Sequence, residues 1–175
     1  MAIALGEVIS DPVRIQQLRE RLECEPEARV LVSACLAGHP VRYDGGHCFD
    51  DSFSALLNSG KAILVCPEVL GGLSVPRPPA ELQGGLRNLP VVQSVQGHDV
   101  TESFKLGAER ALEQARGQSI LFALLKSKSP SCGVGQVYDG SFSGRLVPGE
   151  GVATARFRSA GIPVISSDVW RSSGG

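Results

Sequence analysis

Three cysteines in this chain stand where thiolate chemistry is feasible: Cys35 in "SACL", Cys66 in "CPE" and Cys132 in "SPSCG". A thiolate is both a nucleophile and a soft metal ligand, so a group of them predicts covalent catalysis, metal binding or simple packing. Cys24 and Cys48 bring the count to five. An odd, widely spread set in a chain without secretory features speaks against a disulfide framework. None of them shows the C-x-x-C spacing of a zinc ribbon. Around Cys132 the stretch "KSKSPSCGVGQVYDGSFSG" adds small hydroxyls, two lysines and four glycines, a loop able to approach a ligand closely but without the lysine pattern of a P-loop.

Something must gather these thiols, and the patterning between them predicts an α/β scaffold. In "DPVRIQQLRERLE", Asp11 is a candidate N-cap and Pro12 fits the first helical position, with Val13, Ile15, Leu18 and Leu22 mostly on one face. "ARVLVSA" reads as a short strand, "DSFSALLNSG" as a helix closed by Gly60, and "KAILVC" as a second buried strand. Residues 76–90, with four prolines and two glycines, read as an irregular excursion. "DVTESFKLGAERALEQARG" has Asp99 and Glu102 in capping-box spacing and closes near Gly117. A third strand, "SILFALLK", is followed by a hairpin or Gly-rich loop in "VYDGSFSGRLV", a helix in "GVATARFRSAG" and a last strand in "IPVISS". The expected fold is α/β: a single-domain, open, mainly parallel sheet flanked by helices, Rossmann-like and three-layered. Its expected parts are an N-terminal helical extension (1–29), the α/β domain (30–168) and a flexible tail (169–175), with Trp170 packing just before the polar end "RSSGG".

On that outline Cys35 follows the first strand, Cys66 ends the second and Cys132 leaves the third. Open parallel sheets bind ligands outside the carboxyl ends of their strands, so the three thiols are expected at one edge. Cys24 falls toward the opposite edge as a partly buried structural thiol. Cys48, in "DGGHCFD", is expected to pack, or to return to the same edge as a fourth thiol. Three ligands from separate loops suit an iron-sulfur cube with one iron left open better than a closed zinc site. The residues alone leave metal binding and packing both open.

Composition removes other classes. A chain of 175 residues is one domain in size and buries roughly 70% of its unfolded surface, so it needs no metal or disulfide merely to fold. A formal charge of −1 argues against a broad footprint for duplex DNA or anionic membrane. "MAIALGEVIS" lacks the n- and h-regions of a signal peptide, and no apolar run approaches a membrane span. A soluble cytoplasmic protein with a small ligand is expected.

Five stretches in order, "VSACLAGHPVRYDGGH", "CPEVLGGLSVPRPPAEL", "GHDVTESFKLGA", "KSKSPSCG" and "YDGSFSG", make the chain resemble the thiouracil desulfidase family over residues 30 to 166. The resemblance implies a non-redox desulfidase in which three cysteines hold a [4Fe-4S] cluster whose fourth iron binds the sulfur of a thiolated pyrimidine. By motif those ligands are Cys35, Cys66 and Cys132. Cys48 departs from the pattern, where a non-thiol residue such as Lys is expected; close to the open iron, it would inhibit the site.

With that chemistry, Glu68, two residues after Cys66, is the expected acid-base group, and Ser131, beside Cys132, orients the base or the water. Asp44 and Ser129 are expected on the pyrimidine. Arg42, Arg77 (grouped with Glu81) and Lys126 are expected on a phosphate if the substrate is a monophosphate. His39, His47 and His98 show no metal or triad spacing, and His47 and His98 are read as loop or capping residues. The expected substrates are 2-thiouracil, 4-thiouracil, 4-thiouridine or 4-thio-UMP, with no membrane and no folded nucleic acid as partners. Two rivals remain: a non-catalytic nucleotide- or tRNA-binding module, and a metal-free thiol enzyme using Cys132 as its nucleophile.

Overall fold

The computed structural model of the chain describes residues 5–84 and 90–174. In chain order it has α1 (Pro12–Cys24), β1 (Ala28–Ser33), α2 (Ser54–Asn58), β2 (Ala62–Val65), α3 (Pro67–Leu70), β3 (Ala80–Gln83) and β4 (Val91–Ser94). Then follow α4 (Thr101–Gln114), β5 (Ser119–Leu125), β6 (Gln136–Tyr138), β7 (Leu146–Pro148), α5 (Val152–Ser159), β8 (Val164–Ser166) and α6 (Ser167–Ser172). The central sheet is four-stranded and parallel, in the order β2-β1-β5-β8.

Its strands are apolar on both faces, as a sheet covered by helices requires. The pleat divides them: Val30, Val32, Phe122 and Leu124 face a core with Ile15, Leu18 and Leu22 of α1 and Trp170 of α6. Leu31, Ala123 and Leu125 face the other core, with Phe104 of α4 and Phe157 of α5. The α/β, three-layer expectation holds. The chain goes from β1 out to β2 and returns to the far side of β1 as β5, so the topological switch lies between β1 and β5, where such sheets open a crevice at their carboxyl ends.

Several local expectations change. The 1–29 segment is part of the core: α1 buries Ile15, Leu18 and Leu22, and Val8 bridges Val164. Asp11 caps α1 as expected, accepting from the Val13 N–H at 3.1 Å, but Val13 itself is exposed. The expected tail from 169 is helical through Ser172, because Trp170 is buried and its indole N–H reaches the Ser52 carbonyl. Residues 76–90 contain β3, which pairs antiparallel with β4; residues 85–89 of that stretch lie outside the described residues. At α4, Asp99 accepts from the Thr101 N–H at 2.9 Å, while Glu102 turns to Lys105 instead of closing a box.

One close approach sets the site. A Cβ on Gly107 would stand 1.8 Å from the Pro67 carbonyl oxygen, and one on Gly71 would stand 1.9 Å from that of Ser103. Only glycine at both positions lets α3, which begins right after Cys66 and carries Glu68, lie directly on α4.

Candidate active site

The three strand-end thiols line one cavity of about 360 Å³ at the carboxyl edge. Cys35 lies in a 3-10 turn (Ala34–Ala37) straight after β1, Cys66 caps the start of α3 after β2, and Cys132 sits on the loop after β5. That loop is bent by Ser129, whose Oγ accepts from the N–H groups of Ser131 (3.1 Å) and Cys132 (3.0 Å). It is clamped from behind by Gly151, where a Cβ would stand 2.2 Å from the Ser131 carbonyl oxygen. Cys35 belongs to the α1-side core and Cys132 to the α4-side core, so the thiols straddle the end of the sheet. The Ser33 hydroxyl joins β1 to β5 there, accepting the Lys126 N–H at 3.0 Å.

Burial raises the pKa of all three thiols. It is the largest cause at Cys35, where the neighbouring Cys132, Cys48 and Cys66 add to it and Lys126 works against it. Cys132 is pushed up to about 12 by burial, against which the Ser33 and Ser131 hydroxyls favour the thiolate. Cys66 is raised by burial too, with the Val69 N–H at the start of α3 acting the other way. A metal centre bound here would supply the positive charge that lets thiols placed this way give up their protons. The Ser131 Oγ is buried beside Cys132 without a well-formed hydrogen bond, an orphan donor that a sulfur-rich ligand would satisfy. Among the described residues no three His, Cys, Asp or Glu side chains are close enough to share one metal ion. Three soft thiol donors on one cavity wall fit a unit that takes one thiolate at each of several corners.

Glu68 and Arg77 line the same cavity and form an ion pair, Nε to Oε2 at 2.7 Å, with side chains 16% and 7% exposed. Arg77 donates further to the carbonyls of Ser74 (3.1 Å) and Val41 (3.0 Å), so its fork is committed to the protein. Its partner is thus Glu68, not Glu81. Glu81 is buried on β3 and accepts from the Gly140 and Phe142 N–H groups, pinning the "DGSFSG" turn over the mouth. Arg42 lines the cavity but donates to Cys48 Sγ (3.0 Å) and to Asp44 (3.0 Å).

Asp44 does not line the cavity. Its carboxyl is held below the ordinary range by the Gly46 N–H and then by Arg42. Lys126 lines the cavity with Nζ on the Ser127 carbonyl at 2.7 Å, and Ser129 lines it as well. Cys48 is half-buried behind the site: its N–H donates to the Cys35 carbonyl at 2.8 Å, but it is not on the cavity wall. Cys24, expected to be partly buried, is exposed at the end of α1. Sequence reasoning missed Lys128, Tyr43 and Tyr138, which all line the cavity; Lys128 and Tyr138 lie inside the quoted "KSKSPSCG" and "YDGSFSG" motifs.

A family model for 2-thiouracil desulfurase matches residues 30–168. The chain belongs to the 2-thiouracil desulfurase family. The match spans the stretch over which the motifs resemble thiouracil desulfidases, and it makes the protein an enzyme. Within reach of this desulfurase is YbbK, an uncharacterized protein of Bacillus subtilis (strain 168), 41% identical over 144 residues that cover 79% of this chain and 95% of that one. Among solved structures, the [4Fe-4S]-dependent thiouracil desulfidase TudS superposes with a TM-score of 0.73 at 49% identity, covering 81% of this chain and 91% of that chain. For a desulfurase, the rival of a metal-free Cys132 nucleophile meets a physical obstacle. A thiol 5% exposed and raised to about 12 is a poor nucleophile at neutral pH, and no described histidine lines this cavity to serve as its base. No helix among the described residues is long and apolar enough to cross a membrane.

Proposed function

We propose that this enzyme replaces the thione of a small thiolated uracil by a carbonyl and releases sulfide, with Cys35, Cys66 and Cys132 holding a [4Fe-4S] cluster. The carrying observation is the convergence of three thiols, two buried and one half-buried, one from each of three strand ends, on a cavity that also presents a carboxylate. The 49% identity to TudS, itself [4Fe-4S]-dependent, supports the reading. When bound, such a cluster supplies a soft iron for the thione sulfur and for the negative charge developing on it.

The chain's own residues do the rest. With Oε2 fixed by Arg77, Glu68 presents Oε1, which has no hydrogen-bond partner among the described residues, to a water. It accepts a proton as the water oxygen adds to the thione carbon, and returns it as the C–S bond breaks and sulfur leaves with both of the water's protons. No electrons change hands. Ser129 holds the Cys132 loop in shape, and the Ser131 hydroxyl beside Cys132 is free to donate to sulfur.

A cavity of about 360 Å³ suits a base, nucleoside or monophosphate rather than a folded RNA. The phosphate site moves from its expected place, because Arg77 and Arg42 are both engaged. Lys126 and Lys128 remain on the wall, and the Lys128 side chain makes no hydrogen bond or ion pair among the described residues. Lys128 is held at φ +63°, a left-handed conformation that costs a non-glycine residue about 1 kcal/mol, as residues at ligand sites often do. Five free cysteines suit the reducing cytoplasm, where we place the enzyme.

The test compares 2-thiouracil, 4-thiouracil, 4-thiouridine and 4-thiouridine monophosphate at equal concentration, following sulfide and loss of the thione absorbance. Preference for the monophosphate, lost in Lys128→Ala but kept in Arg42→Ala, is the expected result. Equal rates on all four would remove the phosphate site. No sulfide from any of them, with iron content confirmed in the same sample, would overturn the desulfidase reading for these substrates.

A further inference from the structure

A second chamber of about 80 Å³ lies behind the first, and the two share three wall residues: Glu68, Arg77 and Ala80. Its remaining wall comes from other elements. Leu73, Val100 and the fully buried Phe104 make it largely apolar, while Ser94 at the end of β4 and His98 in the following turn add polar groups. Ser94 is buried and its Oγ accepts the His98 N–H at 3.2 Å, which leaves the hydroxyl hydrogen without an acceptor among the described residues. His98 and Pro78 are its exposed wall residues, so this chamber meets bulk solvent beside the imidazole and the proline ring and shares Glu68 with the front cavity. The space holds a few waters, and a water there needs two to four polar partners. Glu68, Arg77, Ser94 and His98 are such partners in an otherwise greasy lining.

We propose that this rear chamber is the solvent route of the reaction: water reaches Glu68 past His98 and Ser94 while the substrate fills the front cavity. This rests on the desulfidase reading, in which each turnover consumes one water and sends its two protons away with the sulfide. A thiolated nucleotide seated with its sulfur toward the three thiols closes the front cavity behind it. The next water must therefore come from the side of Glu68 that the substrate does not cover. The Glu68–Arg77 pair stands between the two chambers, so a water on the rear side is already in reach of the group that activates it. His98 acts here as a positioning residue that keeps the outer end wet; it touches neither the substrate nor the reacting atoms.

Two measurements on the iron-loaded enzyme decide it. In crystals with uracil in the front cavity, ordered waters should link Glu68 to Ser94 and His98 in the wild type, and His98→Phe, which plugs the outer end, should lose them. In solution His98→Phe should lower kcat about tenfold to a hundredfold, at or below the usual scale of a proton-transfer contribution, with KM and iron content unchanged. His98→Gln, which keeps a polar side chain at the mouth, should restore most of that loss. A dry rear chamber in the wild-type crystal overturns the route, and so does an unchanged kcat in His98→Phe. If the wild type releases no sulfide at all, the function reading fails, and the crystal waters still decide whether the chamber carries solvent.

Discussion

The two ends of the parallel sheet treat charge and sulfur in opposite ways. At the amino ends, Cys24 is exposed, the Arg21–Glu25 pair on α1 lies open to solvent with side chains 54% and 45% exposed, and Lys61 Nζ closes the end of α1 by donating to the Leu22 and Glu25 carbonyls. At the carboxyl ends, two thiols are buried around a cavity, and a third thiol and an ion pair of comparable length are half-buried beside them. Water screens the first pair and makes it nearly dispensable, whereas removing one partner of the second strands a charge in a poorly solvated wall. A fold with nothing to bind would have little reason to bury sulfur and charge at one end alone. That asymmetry marks the carboxyl edge as the working end.

The largest effect that would break the contrast is on iron. Cys35→Ala, Cys66→Ala and Cys132→Ala should each lose most of the bound iron after anaerobic reconstitution, since a cube held by three protein thiolates cannot spare one. Full iron content in any of the three would remove that residue from the ligand set. Next in size, Glu68→Gln should keep its iron yet lose two to four orders of magnitude in turnover, the scale of a general acid-base contribution. Unchanged turnover would move the proton role to another group.

Most of this edge could be read from the chain, for a definite reason. Strands buried on both faces announce themselves as unbroken apolar runs, and in a parallel sheet the residue after each run falls at the same edge, so Cys35, Cys66 and Cys132 could be brought together without coordinates. Pairings between side chains were not legible in the same way. Arg77 stands four residues before Glu81 and nine after Glu68, and only the seating of α3 on α4 through Gly71 and Gly107 selects Glu68. Strand β3 was hidden because Pro76, Pro78 and Pro79 dominate the local signal, while its partner β4 lies beyond residue 90. The exposure of Cys24 was missed because a cysteine's tendency to be buried says nothing about which side of a helix end it occupies.

A third effect is in pH. In metal-free protein, burial pushes the folded Cys132 thiol up to about 12 from an ordinary 9.0. The folded chain thus holds its proton where the unfolded chain has lost it, so the contribution is fully present below pH 9 and falls away between about 9 and 12. Denaturant midpoints of metal-free wild type should therefore drop across that window more than those of Cys132→Ala. Parallel curves would mean that the folded and unfolded thiols titrate alike.

The smallest effect belongs to the opposite end. Cys24→Ser should leave iron content, turnover and the denaturation midpoint where they are, because an exposed thiol at the last residue of α1 removes little apolar surface from water and sits at the far end of the strands from the cavity. The helix keeps its ending, since the Glu25 N–H still reaches the Arg21 carbonyl and Lys61 still gathers the last carbonyls. One outcome would undo the comparison: Cys24→Ser losing iron in step with the three cavity variants. Thiols at the two ends of the sheet would then be acting together, and the separation between a supporting end and a working end would be gone.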